Sequence, residues 1–339
     1  MRPRAMVSAA LWALGLLLLL AAVWAVVHHA GAMRSAWDAA WAAPWWCAAL
    51  LLVLPIGNWL VTTMVFHALT SRFGRVSRVE MSALIGSAWL LNYLPFKPGL
   101  VGRVAYHKAV SGIPVRSSLR VLVEALLLTT ITYIGAALIL LSGVGGVPGL
   151  DIDKGVVPGW AWRALGAALG LVAIVGAPLV CVRGRATLWA DVRVGLSCVA
   201  WRLLDLSLWT LRYWVAFTMI GQGLDLAPAA LLAMGSQLAS QVPIALGVRE
   251  WAVGAAGGLM LRSGAASGSA TTAGATTAAS ATGSLGVLTA LAISAELLNR
   301  AAELVVALVV GLLSARWLRQ HARAHATDRD PPPASSTGT

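Results

Sequence analysis

The sequence predicts an all-α polytopic membrane protein with six full spans and two re-entrant helical hairpins arranged as an inverted repeat. Of the 339 residues, 59% are hydrophobic and 11% charged, more apolar side chain than a soluble core can hide. The apolar residues come in long runs separated by short basic stretches. The formal charge of +12 therefore marks loops and contacts with anionic lipid rather than nucleic acid. Finally, two apolar segments are broken by proline and glycine at matched spacing, Pro95 to Gly99 and Pro243 to Gly247, with Arg103 and Arg249 following the glycines.

Taken in order, Arg2 and Arg4 precede an apolar run from Ala9 to Val27. It exceeds the ~7 to 15 residues of a signal-peptide core, so it is expected as an uncleaved first span. The second run, Trp45 to Leu69, contains Pro55 and Gly57 as possible kink points. The apolar run from Val79 to Leu91 is shorter than the ~20 residues a spanning helix needs and leads into Asn92-Tyr93-Leu94-Pro95-Phe96-Lys97-Pro98-Gly99-Leu100-Val101-Gly102-Arg103. Pro95 and Pro98 lack a donor N–H, Gly99 and Gly102 permit unusual backbone, and Lys97 and Arg103 are costly in hydrocarbon. Irregular, charged backbone at that depth is tolerated only around a watery cavity or inside protein. A full run follows from Leu119 to Leu141, and further spans are expected at about Trp162 to Val182, Val194 to Ile220 and Leu285 to Ser314. The segment Ala229 to Leu261 repeats the interruption at Gln241, Pro243 and Gly247.

Loop charge sets the topology, because Lys and Arg favour the cytoplasmic side. Were every apolar piece to span, Arg103, Lys108 and Arg116, and also Arg183, Arg185 and Arg193, would fall outside. If both broken pieces enter and leave by one face, these groups join Arg72, Arg75, Arg78, Arg316, Arg319 and Arg323 inside. One transmembrane domain is then expected over residues 1–315, with repeat one at about 6–142 (hairpin 79–110) and repeat two at about 161–314 (hairpin 229–262). Residues 263–284, almost wholly Gly, Ala, Ser and Thr, read as a flexible loop, and 316–339 as a cytoplasmic tail disordered at its end. Both termini are expected to be cytoplasmic in a multi-pass protein of the cell membrane. Tryptophans near run ends, such as Trp37, Trp41, Trp45 and Trp160, fit interfacial belts.

Charge inside the membrane is expensive, so its placement points to function or to pairing. Arg202, Asp205 and Arg212 share one side of their helix at about 100° per residue. Glu296, Arg300 and Glu303 share one side of the last span. The antiparallel registers predict pairs of Arg202 with Glu303, Asp205 with Arg300, and Arg212 with Glu296. Such pairs are either a zipper between helices or a polar wall that opens for substrate. Glu124 is expected to meet Arg249 or Arg103. Lys97, Arg103 and Arg249 adjoin helix breaks and are candidates for an anion, or else snorkel to the interface. Glu250 follows Arg249 in the second break. Asn92 and Gln241 are expected to satisfy the broken backbone. Cys47, Cys181 and Cys198 lack metal-ligand spacing, and no metal or cofactor is expected.

At Asn92-Tyr93-Leu94-Pro95 leading to Gly99 and Arg103, at Pro243-Ile244-Ala245-Leu246-Gly247-Val248-Arg249-Glu250, and at Glu296 to Arg300, the chain resembles the flippase-like family. This is the transmembrane region of lysylphosphatidylglycerol synthases and of many stand-alone bacterial and archaeal membrane proteins. The likeness covers most of residues 6–315. It departs from the family in having fewer glycines before Arg249, in Ala125 after Glu124 where an arginine is common, and in the Gly/Ala/Ser/Thr loop. The resemblance implies movement of aminoacylated phospholipid or polyprenyl-linked lipid between leaflets.

The leading expectation is a lipid translocase, not an enzyme, whose partners are membrane lipids with anionic headgroups. A homo-oligomer or an enzyme that makes the lipid is a further possible partner. The alternatives are a multi-span polyprenyl-phosphate-dependent glycosyltransferase using Asp38, Asp151 or Asp153 as acids, and a secondary transporter of small solutes.

Overall fold

In the computed structural model of the protein, residues 30–93, 98–143, 159–181, 188–241, 248–266 and 285–327 are described. They form ten α-helices and one short 3-10 turn, with no strand among them. Five helices are long and apolar enough to cross a membrane, and the chain is a multi-pass membrane protein. The first expected span, Ala9 to Val27, lies outside the described residues.

Helix α1, Ala30–Ala42, carries Arg34 and Asp38 and ends just before Pro44. It belongs to none of the apolar runs, and sequence inspection did not anticipate it. Helix α2, Trp45–Thr70, runs on through Pro55 without a break. It packs along α7, where Leu208 lies directly over Gly57.

Helix α3, Arg78–Leu91, starts with a capping box: Ser77 Oγ accepts from the Glu80 N–H at 3.1 Å and the Glu80 carboxylate accepts from the Ser77 N–H at 3.4 Å. Its 14 residues reach about 21 Å, short of the ~30 Å hydrocarbon core. Helix α4, Pro98–Ala109, opens on the proline, in the first turn, where an N–H would have no intrahelical partner to lose. The two arms touch backbone to backbone, since a Cβ on Gly99 would sit 2.2 Å from the Ala88 carbonyl oxygen. Only glycine fits there.

Gly112, at φ 67°, turns the chain into α5, Val115–Gly143. Helix α6, Gly159–Gly176, returns beside it and runs into the 3-10 turn Ala177–Cys181. Small residues set this pairing: a Cβ on Gly170 would lie 2.4 Å from the Gly135 carbonyl oxygen, the close approach that packs helices in lipid. Helix α7, Leu188–Met219, is followed by the short α8, Leu226–Ser240, and by α9, Val248–Ala266, which runs four residues past the expected hairpin end.

Helix α10, Leu285–Thr327, has 43 residues and spans about 64 Å, well past the expected end at Ser314. It is the wall that both interrupted segments share. Along its first half, α9 packs through Gly258 against Thr289 and Gly254 against Ile293. Along its second half, α3 packs through Leu90 on Gly311 and Gly86 on Ser314.

The largest apolar cluster joins α1, α2, α5, α7, α8, α9 and α10 around Tyr213, Phe217, Leu232 and Leu288. A second joins α2, α5, the 3-10 turn and α7 around Val65, Leu69, Leu128 and Cys198. The outward faces of α6 and α10 are aliphatic, with Leu169, Val172, Val175, Leu308, Leu312 and Leu313 exposed. In a bilayer those side chains meet acyl chains rather than water.

Candidate functional site

The apolar bundle encloses a connected group of charges. Arg212 of α7 is fully buried. Its Nε donates to Asn299 Oδ1 at 2.9 Å, its Nη1 to Asn58 Oδ1 at 3.2 Å and its Nη2 to Glu303 at 3.0 Å. The guanidinium plane lies 3.7 Å from the centre of the Trp209 ring, so its face and its rim are both used. Glu303 also accepts from the Trp89 indole N–H at 3.3 Å, which ties α3 into the group.

A layer beside it is built by α9 and α10. Arg249 lies 2.7 Å from Glu296 and 3.6 Å from Glu303, and Arg300 lies 3.2 Å from Glu250 and 3.5 Å from Glu296. The Tyr213 hydroxyl donates to Glu296 at 2.6 Å. In a third layer, Asp205 accepts from Asn58 Nδ2 and the Tyr133 hydroxyl, each at 2.8 Å, and from Arg202 at 3.2 Å. Arg202, Arg212, Arg249 and Arg300 are matched in number by Asp205, Glu250, Glu296 and Glu303, so these eight side chains carry no formal net charge. Such matching is what makes burial of charge at this depth tolerable.

The pairs expected from helix register do not form. Arg212 meets Glu303 rather than Glu296, Arg300 turns to Glu250 rather than Asp205, and Arg202 stays with Asp205 on its own helix. The acidic face of α10 is shared between α7 and α9, whereas Asp205 looks toward α2 and α5. Glu124 is likewise corrected: its partners are Arg72 and Arg120, not Arg249 or Arg103. Arg72 also donates from Nη1 to the Cys181 carbonyl at 3.2 Å, closing the end of the 3-10 turn. Arg120, four residues before Glu124, was the readable signal. Asn58 and Asn299 were missed too, although one is an amide within an apolar run and the other lies between Glu296 and Glu303.

Of the hairpin residues, Asn92 caps α3 and its N–H donates to the Ala88 carbonyl at 2.9 Å. Gln241, at the end of α8, accepts from the Thr130 hydroxyl of α5 at 2.9 Å. Gly102 is exposed, with open space around it. Pro95, Lys97, Pro243 and Gly247 lie outside the described residues, as do Asp151 and Asp153. Asp38 is exposed on α1. Arg103 is 6% exposed, with its guanidinium 3.8 Å from the Phe66 ring centre. Among the described residues no carboxylate lies within 4.0 Å of it.

Two open cavities flank the bundle. One, about 330 Å³, is apolar and lies between α5, α6, α7 and α8, lined by Ile139, Ile174, Leu206 and Met234. The other, about 540 Å³, has a mixed lining that includes Arg75, Val76, Ser77, Glu80 and His321. Among the described residues no group of three or more His, Cys, Asp or Glu is placed to hold a metal ion, and the three cysteines, all buried, form no disulfide. No protein-family model matches the chain, and comparison with curated proteins and with solved structures returns no match.

Proposed function

We propose that the protein is a lipid translocase that moves an anionic phospholipid or polyprenyl-linked lipid between the leaflets of the cell membrane. In this reading Ala9 to Val27 is the first of six spans, and both termini face the cytoplasm. The segments α3–α4 and α8–α9 are re-entrant hairpins entering from opposite leaflets. The observation that supports it best is the buried polar group around Arg212, Arg249, Glu296 and Glu303, reached by α3 from one hairpin and α9 from the other. A headgroup needs polar partners to cross hydrocarbon, and a charge-matched group shared by four helices can supply them. The apolar cavity on the α5–α8 flank suits a tail that stays in the bilayer.

The test is headgroup transfer in proteoliposomes, using fluorescent phosphatidylglycerol and a membrane-impermeant quencher. The intact protein is expected to expose inner-leaflet label at a rate that empty vesicles lack. Folded protein that transfers none of a panel of anionic lipids would defeat the proposal. Topology is tested separately: cysteines placed at the exposed Arg75 and Lys108 are expected to react with an impermeant reagent from the same side, and reaction from opposite sides would remove the hairpin.

A further inference from the structure

Buried arginines in this protein come with carboxylates. Arg202, Arg212 and Arg249, all more than nine-tenths buried, have one at 3.2, 3.0 and 2.7 Å. Arg103 is buried to the same degree and, among the described residues, has none. What it has is the face of Phe66. Stacking occupies the plane of a guanidinium and leaves its N–H rim free to donate, and Nη2 has no hydrogen-bond partner among the described residues. One helical turn on, at i+4 and on the same side of α4, His107 is 3% exposed, and its Nδ1 also lacks a partner there.

An unmatched cation with unspent donors is the costliest kind of buried group. Water could satisfy the N–H groups but would leave the charge. An oxyanion satisfies both, and the fork of an arginine fits two oxygens of a phosphate side by side. We infer that Arg103 and His107 form a binding site for a phosphate-type oxyanion, borne by a lipid headgroup or free in solution. The lipid source rests on the translocase reading. Arg103 lies six positions before Ala109, the last residue of α4, about 9 Å of helix. On that reading this is the depth of a headgroup drawn in from the cytoplasmic leaflet.

The experiment is equilibrium titration of the full chain in maltoside micelles with dihexanoyl phosphatidylglycerol and, separately, with inorganic phosphate. The lipid is expected to bind the intact protein and to be displaced by phosphate. Arg103→Gln is expected to lose at least about ten-fold in affinity. Arg103→Lys falls between, because an ammonium keeps the charge without the fork, and His107→Gln loses less than Arg103→Gln. Folded Arg103→Gln protein that binds as tightly as the intact chain would overturn the site, as would an intact chain that binds neither probe. Should Arg103→Gln fail to fold, Arg103→Lys and Phe66→Leu both binding at full affinity would overturn it as well. Binding of free phosphate but not of lipid keeps the oxyanion site and removes the lipid from it. Arg103-dependent binding without headgroup transfer keeps the site and refutes the translocase. Headgroup transfer that is indifferent to Arg103→Gln, with binding unchanged, does the reverse.

Discussion

Arg103 and Arg249 occupy comparable places in the two interrupted segments, each on the second arm and each over an aromatic ring from a long helix. Arg103 lies 3.8 Å from the Phe66 ring centre and Arg249 lies 4.9 Å from that of Trp209. Their electrostatic surroundings are opposite. Arg249 is held by Glu296 and Glu303, whereas among the described residues Arg103 has no carboxylate. The two arginines of a repeated motif thus differ in what surrounds them: Arg249 joins helices through carboxylates, and Arg103, among the described residues, meets only a ring face. Sequence symmetry alone would have assigned both the same role.

Four measurements break or sharpen this contrast. The largest effect is expected from Glu303→Gln, which strands Arg212 and weakens the hold on Arg249. Unfolding in detergent should show a loss of about 3–5 kcal/mol. Arg249→Gln should approach that range by leaving Glu296 undercompensated, while Arg103→Gln should cost under about 1 kcal/mol because it leaves no buried carboxylate alone. Equal losses at the two arginines would erase the distinction. Gly99→Ala should cost about 1–3 kcal/mol through overpacking against Ala88, seen as a lowered midpoint, and no change would mean the arms of the first segment do not touch. Smallest is the ring exchange: Trp209→Leu removes a face from both Arg212 and Arg249 and should lose about 2 kcal/mol, against about 1 kcal/mol for Phe66→Leu.

The long helices were legible because an apolar run of spanning length has few alternatives in a membrane. Their observed bounds at Trp45–Thr70 and Val115–Gly143 bracket the runs. The extension of α10 to Thr327 was hidden because Arg316, Arg319 and Arg323 read as a charged tail, yet all are compatible with helix. Helix α1 was hidden for the related reason that Arg34 and Asp38 break any apolar pattern. Most of the buried charges were plain from the sequence, since ionisable groups stand out in apolar runs, but Glu80 and His107, both buried, and the part-buried Arg72 lie close to basic stretches and read as loop or interface residues. Who pairs with whom was not, because a partner depends on how each helix is rotated and on which third helix comes between. Glu296 faces Arg249 of α9 for that reason, and Asp205 faces Asn58 and Tyr133.

The zero formal sum of the eight central side chains bears on energetics across the bilayer. An electric field does work only on charge that moves through it, about 2.3 kcal/mol per elementary charge per 100 mV. Because the set is neutral, carrying it as a whole through the field does no net work, and an exchange of partners within it couples to voltage only through the change in its dipole along the field. Arg103 differs, because among the described residues no carboxylate balances it, and on the proposal above a bound monoanion would cancel its charge. Were the proposed oxyanion site to fill, movement of α4 would carry one charge fewer through the field, so the voltage dependence of that step would fall with occupancy.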